Sequence, residues 1–246
     1  MTPLPVIEHA NAEALAAAVA DALACAIRDG VAARGDAWLA LAGGSTPFAA
    51  YRKLAAMALP WSQVHLLASD ERWVPAGHER RNERALAEAF AAANGVRIHP
   101  LVPVDADGAG FEERATTTDR VDPRLRTSKA SLAPLGHRAF DAVLLGMGTD
   151  AHFASLFPRV TPLTALDAGS REAVVAITPD PLPPDAPFPR ISLTLPRLAS
   201  AKCLMLMLTG DAKRRVLEEA RTLDANLAPI NALLSAAPDL AIHWSP

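Results

Sequence analysis

A histidine and an aspartate stand two residues apart after a glycine-rich segment, and these residue types can perform acid–base chemistry. Asp150 and His152 follow the apolar run Ala142–Leu145 and the sequence Gly146-x-Gly148. A histidine can take a proton near neutral pH, and a neighbouring carboxylate can orient its ring and stabilise its cation. The pattern predicts a general base at His152 supported by Asp150, with a structural histidine as the alternative. The Gly-x-Gly is too short for a dinucleotide fingerprint, so it does not imply NAD.

Two adjacent acids and an arginine follow a second apolar run. Asp70, Glu71 and Arg72 come directly after residues 64–69. They are placed for acid–base work or for holding a polyol. We therefore take Asp70 and Glu71 as candidate catalytic residues and Arg72 as a candidate substrate ligand. The alternative is a solvated loop with a surface ion pair of little energetic value.

A third segment combines glycines with hydroxyl side chains before a predicted helix. It consists of Gly43, Gly44, Ser45 and Thr46. Glycines let the backbone turn tightly and approach a ligand, and the free N–H groups of a helix N-terminus favour an anion. The segment predicts phosphate binding, with a plain glycine turn capped by Ser or Thr as the alternative. It is not a Walker motif, because no Gly-Lys-Ser follows.

Two cations complete the set of candidates. Arg190 follows a proline-rich segment, residues 179–189, which we expect to form a rim over a site. Lys213 stands one turn into a predicted helix after a strand and a glycine. Arginine can grip a phosphate with two hydrogen bonds and lysine can reach it as a point charge. Two ordinary surface cations are the alternative.

The elements that must position these residues alternate between short apolar strands and helices. The sequence predicts helices over residues 11–33, 47–57, 82–93 and 212–221, and strands over 38–42, 64–69, 142–145, 173–177 and 203–209. Such alternation predicts an α/β fold with a mostly parallel central sheet flanked by helices. Sheets of this kind bind ligands at the carboxyl ends of their strands, where the candidate residues stand.

Composition narrows the classes of function. The 246 residues are half hydrophobic, which suits one domain over 1–246. A net charge of −3 argues against nucleic-acid binding. The two cysteines, Cys25 and Cys203, lie in apolar runs and are expected to be buried and reduced, and no spacing suggests a metal site. The sequence shows no secretory signal and no membrane span, so we expect a cytoplasmic protein. It leaves the oligomeric state open.

The segments together resemble the 6-phosphogluconolactonase family, within the glucosamine/galactosamine-6-phosphate isomerase superfamily. The resemblance extends over about residues 38–223 and is carried by three motifs in the family's order and approximate spacing. These are Gly-Gly-Ser-Thr-Pro at 43–47, Asp-Glu-Arg-x-Val-Pro at 70–75, and Leu-Leu-Gly-Met-Gly-x-Asp-x-His-x-Ala-Ser-Leu-Phe-Pro at 144–158. The last motif is long and specific. The matches at Arg190 and at Gly210-x-x-Lys213 are short.

The resemblance implies a fold shared with glucosamine-6-phosphate deaminases and ribose-5-phosphate isomerases. It also implies hydrolysis of 6-phospho-D-glucono-1,5-lactone in the oxidative pentose phosphate pathway, without a cofactor or metal. The partner would be this phosphorylated sugar lactone. On this hypothesis His152 activates water and Asp150 orients the imidazole of His152. The 43–46 turn holds the phosphate with Lys213 and Arg190, aided by Arg72.

The chain also departs from the family's usual pattern. Ala151 stands where glycine, which tolerates a positive φ, is usual. Phe153 replaces a threonine and is expected to add bulk beside the base, and Ala42 replaces a common serine. The alternatives are a glucosamine-6-phosphate deaminase or sugar-phosphate isomerase, and a non-catalytic sugar-phosphate-binding domain. Phe157 stands where a deaminase would place an acid, which disfavours the first alternative.

Overall fold

The computed structural model describes residues 5–106, 122–184 and 187–246. Residues 185–186 of the predicted rim and the first four residues lie outside this range. In the described residues the strands are β1 Val6–Glu8, β2 Ala37–Leu41, β3 Val64–Ala68, β4 Asp70–Arg72, β5 Arg97–Ile98, β6 Ala142–Leu145, β7 Val174–Ile177, β8 Arg190–Leu193, β9 Cys203–Thr209 and β10 Ala241–Ser245. The α-helices are α1 Ala12–Arg34, α2 Phe48–Ala55, α3 Asn82–Ala89, α4 Arg126–Leu132, α5 Leu163–Leu166, α6 Leu195–Ala199, α7 Asp211–Ala220 and α8 Pro229–Ala236. Two short 3₁₀ turns span Trp61–Gln63 and Pro123–Leu125.

The central sheet is parallel throughout the described residues. Its strand order is β1-β10-β9-β6-β2-β3-β5. Strand β2, an interior strand between β6 and β3, is apolar at every position and buried at all five residues, as expected of a strand covered on both faces. The predicted α/β fold is confirmed. After β2, the chain adds β3 and β5 on one side of it and then β6, β9 and β10 on the other side. The gap between the carboxyl ends of β2 and β6 is therefore a topological switch point, where sheets of this kind bind ligands.

Helix α1 shows how the sequence specifies an element. Its buried residues recur every four positions, as in Leu15, Val19, Leu23 and Ile27, which gives the helix one apolar face for the sheet. The side chain of Asn11 accepts a hydrogen bond from the Ala14 N–H at the N-terminus. At the other end Gly35 adopts a left-handed φ of 82° and its N–H closes the last turn onto the Val31 carbonyl oxygen.

A second, antiparallel sheet was not predicted. It has the order β4-β8-β7, so residues 70–72 form a strand rather than a loop, and the correctly predicted strand β7 lies outside the parallel sheet. The chain passes from β3 through Ser69 directly into β4. The register pairs Arg72 with Arg190 and Asp70 with Ser192. This pairing brings two distant sequence segments to the edge where the parallel strands end.

The expectation that both cysteines are buried is wrong for Cys25 and only partly met for Cys203. Cys25 is exposed and Cys203 is half-buried, and neither is in a disulfide. The run around Cys25 is apolar, but each helical residue turns about 100° from the last. Ala24 therefore faces the sheet while Cys25 faces solvent. In the described part of the chain, no helix combines the length and apolarity needed to cross a bilayer.

Candidate active site

A cavity of about 370 Å³ opens at the carboxyl ends of β2 and β6, a size typical of small-molecule sites. It gathers most of the predicted residues. These are Gly43, Gly44, Ser45, Thr46, Asp70, Arg72, His152, Arg190 and Lys213. The described residues that line it also include Asn82, Ser155, Phe157 and Pro183. Glu71 and Asp150 do not line it, and each is held beside a residue that does.

His152 and Asp150 form a hydrogen-bonded pair. Nδ1 of His152 lies 2.5 Å from Oδ1 of Asp150. The ring of Phe157 packs against the imidazole with 4.4 Å between ring centroids. A neutral histidine bonded in this way carries its proton on Nδ1 and leaves Nε2 as a base. Partial burial works to raise the pKa of Asp150, but the hydrogen bond and charge of His152 outweigh it and lower that pKa.

The loop before the histidine is held by its backbone. Gly148 donates its N–H to the carbonyl oxygen of His152 at 2.9 Å. A Cβ on Gly148 would lie 2.3 Å from the imidazole ring of His152. The ring can therefore occupy this position only because residue 148 has no side chain. The same hydrogen bond occupies the Gly148 N–H, which leaves it unavailable to a reacting oxyanion.

Ala151 and Phe153, the two residues of this segment that differ from the family's usual pattern, have different structural consequences. Ala151 adopts a φ of 64°, the left-handed conformation that glycine accepts more readily than alanine. Phe153 does not crowd the base: its side chain is fully buried in the core, and its backbone bridges Met147 and Leu156. Neighbouring residues of an extended segment point to opposite sides. Phe153 therefore points away from the cavity, although His152, the residue before it, lines the cavity.

Three cations face the same cavity from three elements. Arg72 and Arg190 are directly opposite each other on β4 and β8, and Lys213 comes from the first turn of α7. Like charges placed opposite one another destabilise a sheet, and an anion between them would relieve that cost. Burial lowers the pKa of Lys213. Among the described residues no carboxylate pairs with Lys213 or Arg72 within 4 Å.

The prediction that Glu71 is a catalytic residue is wrong, because the structure gives it a structural role. Its side chain is completely buried, and its carboxylate accepts hydrogen bonds from the backbone N–H groups of Arg72, Asn82 and Glu83 at 2.7–2.8 Å. Arg81 lies 3.7 Å away. Burial raises the pKa of Glu71 to about 7 against these partners, which favour the charged form. The carboxylate thus caps the N-terminus of α3 and ties it to β4.

Asp70 and Glu71 alternate as strand neighbours do, so they point to opposite sides of β4. Asp70 lines the cavity. Its Oδ2 accepts a hydrogen bond of 2.5 Å from the hydroxyl of Ser155. The backbone N–H of Ser155 in turn donates a hydrogen bond to the hydroxyl oxygen of Ser192. Asp70 is therefore a buried carboxylate fixed at the cavity wall.

Asn82 lines the cavity but was not among the site residues predicted from the sequence. Its side-chain amide donates to the carbonyl oxygen of Asp70 at 2.7 Å and accepts from Nη1 of Arg72 at 2.6 Å. A Cβ on Gly43 would lie 2.1 Å from the same amide. Gly43 is thus required for close packing, and Asn82 fixes the Arg72 guanidinium against the 43–46 turn.

A family model described as glucosamine-6-phosphate isomerases/6-phosphogluconolactonase matches residues 10–244. The chain belongs to this family. Curated relatives named 6-phosphogluconolactonase include a Rhizobium meliloti protein that is 37% identical over 242 residues, covering 96% of each chain. Another, from Pseudomonas putida, is 34% identical over 243 residues, covering 98% of this chain and 93% of the relative.

Comparison with solved structures supports the same family. A 6-phosphogluconolactonase from Shewanella baltica superposes with a TM-score of 0.82 at 28% identity, covering 100% of this chain and 99% of that one. A monomeric glucosamine-6-phosphate deaminase shares the fold with a TM-score of 0.73 at 18% identity, over 98% and 96% of the two chains. The two activities thus share one fold, and the site must distinguish them. In the described residues, no group of three or more His, Cys, Asp or Glu side chains is arranged to hold a metal ion.

Proposed function

We propose that this chain hydrolyses 6-phospho-D-glucono-1,5-lactone to 6-phospho-D-gluconate, a step of the oxidative pentose phosphate pathway, in the cytoplasm. The observation that carries the proposal is a single cavity in which His152, hydrogen-bonded to Asp150 beside the cavity, lies together with three cations. The curated 6-phosphogluconolactonases that match nearly the whole chain support it. The lactone is the small-molecule partner, and the reaction as written consumes only lactone and water.

His152 acts as the base. With Nδ1–H donated to Asp150, Nε2 takes a proton from a water molecule, whose oxygen attacks C1 of the lactone. The bond from C1 to the ring oxygen then breaks, and the protonated imidazole returns its proton to that oxygen. Asp150 stabilises the cation while the proton is held. A positioned general base contributes about 10²–10⁴-fold, which is a useful gain for a lactone that already opens in water.

The phosphate is the anchor. Arg72, Arg190 and Lys213 supply its countercharges, and the N-terminus of α2, which has no side-chain cap, offers backbone donors from the 43–46 turn. Holding the far end of the substrate converts the attack into a positioned reaction. Asp70, fixed by Ser155, is placed to accept a hydrogen bond from a sugar hydroxyl.

The test is lactone hydrolysis with the lactone generated in situ by glucose-6-phosphate dehydrogenase. The comparison is between buffer, the wild-type protein, His152→Ala and the control His137→Ala, an exposed histidine outside this cavity. We expect His152→Ala to lower kcat by about 10²–10⁴-fold with little change in KM. We expect His137→Ala to behave as wild type.

A wild-type rate equal to that of buffer would refute the lactonase proposal, and near-normal kcat in His152→Ala would remove this residue from the mechanism. Release of ammonia from glucosamine 6-phosphate would instead support a deaminase. The structure disfavours that reaction, because Phe157, and not an acid, packs on the His152 ring.

A further inference from the structure

A second cavity, of about 610 Å³, lies at the opposite edge of the sheet. It is formed by α4 and α6 with the segments that lead into β6 and β7. Its lining precedes β6 and β9, whereas the catalytic cavity follows β2 and β6. Within the described ranges, the two cavities have no lining residue in common. The proposed lactonase activity does not use it.

Arg197 on α6 is the unusual residue of this second cavity. This residue lines the cavity and is only 9% exposed. Nη1 donates to the carbonyl oxygen of Arg138 at 2.9 Å, and the guanidinium carbon lies 4.8 Å from the centroid of the Phe140 ring. Nε and Nη2 are buried and have no hydrogen-bond partner among the residues that the structure describes. No carboxylate among the described residues pairs with this guanidinium within 4 Å.

A buried charge without a counter-ion is costly. Removing a charged group from water costs several kcal/mol unless a partner of opposite charge compensates it. The other charged lining residues do not compensate it, because Lys129 and Arg171 add positive charge and Glu172 is a single exposed acid. The site therefore has an excess of positive charge beside an unsatisfied guanidinium.

The remaining lining selects the body of a ligand. Leu132, Ala133, Ala173 and Pro196 contribute apolar surface, which favours a ligand with a compact hydrophobic part. We propose that this cavity is a second binding site, for a small organic anion in which a carboxylate or similar group meets Arg197 and an apolar body packs between α4 and α6. Binding there would supply the countercharge that the fold lacks.

The experiment uses 4-(trifluoromethyl)benzoate as the probe, followed by fluorine NMR on the intact protein without lactone. We expect saturable binding by the wild type. Arg197→Met keeps the length of the side chain and removes its charge, and should weaken binding by at least about tenfold, the loss of one charge-assisted hydrogen bond. Lys213→Ala, which alters only the catalytic cavity, should bind the probe as the wild type does.

Two further measurements do not depend on the folding of Arg197→Met. The uncharged probe 4-(trifluoromethyl)benzamide should bind the wild type at least about tenfold more weakly than the benzoate. The double variant Lys129→Ala/Arg171→Ala changes two exposed residues and should weaken benzoate binding by about threefold.

The proposal is overturned if the wild type does not bind benzoate, or if the amide binds as tightly as the benzoate. It is equally overturned if Arg197→Met binds as the wild type does, or if Lys213→Ala abolishes binding. Because no lactone is present, a failure here leaves the proposed catalytic function untouched, and the reverse also holds.

Discussion

His152 and Lys213 illustrate how single side chains of one cavity divide the work. The imidazole is held by Asp150 and packed under Phe157, so its orientation is fixed before any substrate arrives. Lys213 has no carboxylate partner within 4 Å in the described residues and is half-buried. One residue is thus prepared for proton transfer, while the other is kept available for an incoming anion.

Lys213 should make anion binding sensitive to alkaline pH. Burial lowers its pKa below the usual 10.5, and a lysine is charged only below its pKa, so the attraction for phosphate is lost as pH rises through that lowered value. We expect the affinity for 6-phosphogluconate, measured by calorimetry between about pH 7.5 and 10.5, to fall earlier than an ordinary lysine would allow.

The matched control is Lys213→Arg, since arginine stays charged throughout this range. Its affinity should be nearly independent of pH over the same interval. A wild-type profile as flat as that of Lys213→Arg would show that Lys213 does not contact the phosphate.

Ala151 carries a local strain that glycine would remove. A left-handed conformation costs an L-residue about 1–2 kcal/mol, and Ala151 has a φ of 64°. Two effects offset part of this gain: the lost contacts of the methyl group and the greater freedom of glycine in the unfolded chain. We therefore expect Ala151→Gly to raise the free energy of unfolding by about 0.5–1 kcal/mol in urea titrations.

Ala40→Gly is the control for this prediction, because Ala40 lies in the buried strand β2. The same change should there lower the free energy of unfolding by about 1 kcal/mol. If Ala151→Gly destabilised the protein as much as Ala40→Gly does, the strain at residue 151 would be energetically unimportant.

At the scale of elements, the junction between β4 and α3 determines where Arg72 lies. Glu71 satisfies the first N–H groups of α3, and Asn82, the first residue of that helix, holds the guanidinium of Arg72. One side of β4 therefore faces the cavity, while Glu71 on its other side is hydrogen-bonded to the N-terminus of α3. The position of the cation depends on a carboxylate that never meets the ligand.

Replacing Glu71 should therefore affect both stability and substrate binding. Glu71→Ala leaves buried N–H groups unsatisfied and removes a charged neighbour of Arg81, which should cost about 3–5 kcal/mol in the free energy of unfolding. We expect the surviving folded protein to show a raised KM for the lactone, because Arg72 loses its support.

Glu83→Ala is the matched control on the same helix. Glu83 also pairs with Arg81 but is partly exposed, so its loss should cost only about 1 kcal/mol and leave KM unchanged. Equal effects of the two substitutions would contradict the role given to the buried carboxylate.

At the scale of the whole molecule, the catalytic cavity joins parts of the chain that are far apart in sequence. The 43–46 turn, β4, β8 and α7 each contribute to it. A ligand that bridges them binds only the folded protein and must shift the folding equilibrium. At about 100 times its Kd such a ligand adds about 2.7 kcal/mol.

We expect 6-phosphogluconate at that concentration to raise Tm by about 5–10 °C for a chain of this size. Gluconate, which lacks the phosphate, should give a much smaller shift, and Lys213→Ala should reduce the shift produced by 6-phosphogluconate. Equal shifts from gluconate and 6-phosphogluconate would show that the cations do not recognise the phosphate.

Local sequence patterns were enough to predict a mostly parallel sheet and the turns that follow several of its strands. Apolar runs such as Ala142–Leu145 and the four-residue spacing in α1 are local patterns that burial on a sheet requires. Residues that follow such strands must meet at one edge, so the positions of His152, Lys213 and the 43–46 turn made them candidate site residues, each with a structural alternative. The resemblance to a family then supplied the chemistry.

Local patterns did not predict that Asp70 lines the cavity while Glu71 caps α3. Nor did they predict that Asn82 holds Arg72 or that Phe153 faces the core. The small antiparallel sheet depends on pairing between residues more than a hundred positions apart, Arg72 with Arg190, and no local pattern encodes such a partner. Its register fixes which side chains of β4 face the cavity, because neighbouring residues of a strand point to opposite sides. Local periodicity can reveal that a segment is buried, but which of its faces meets a ligand is set by contacts that form only in the folded chain.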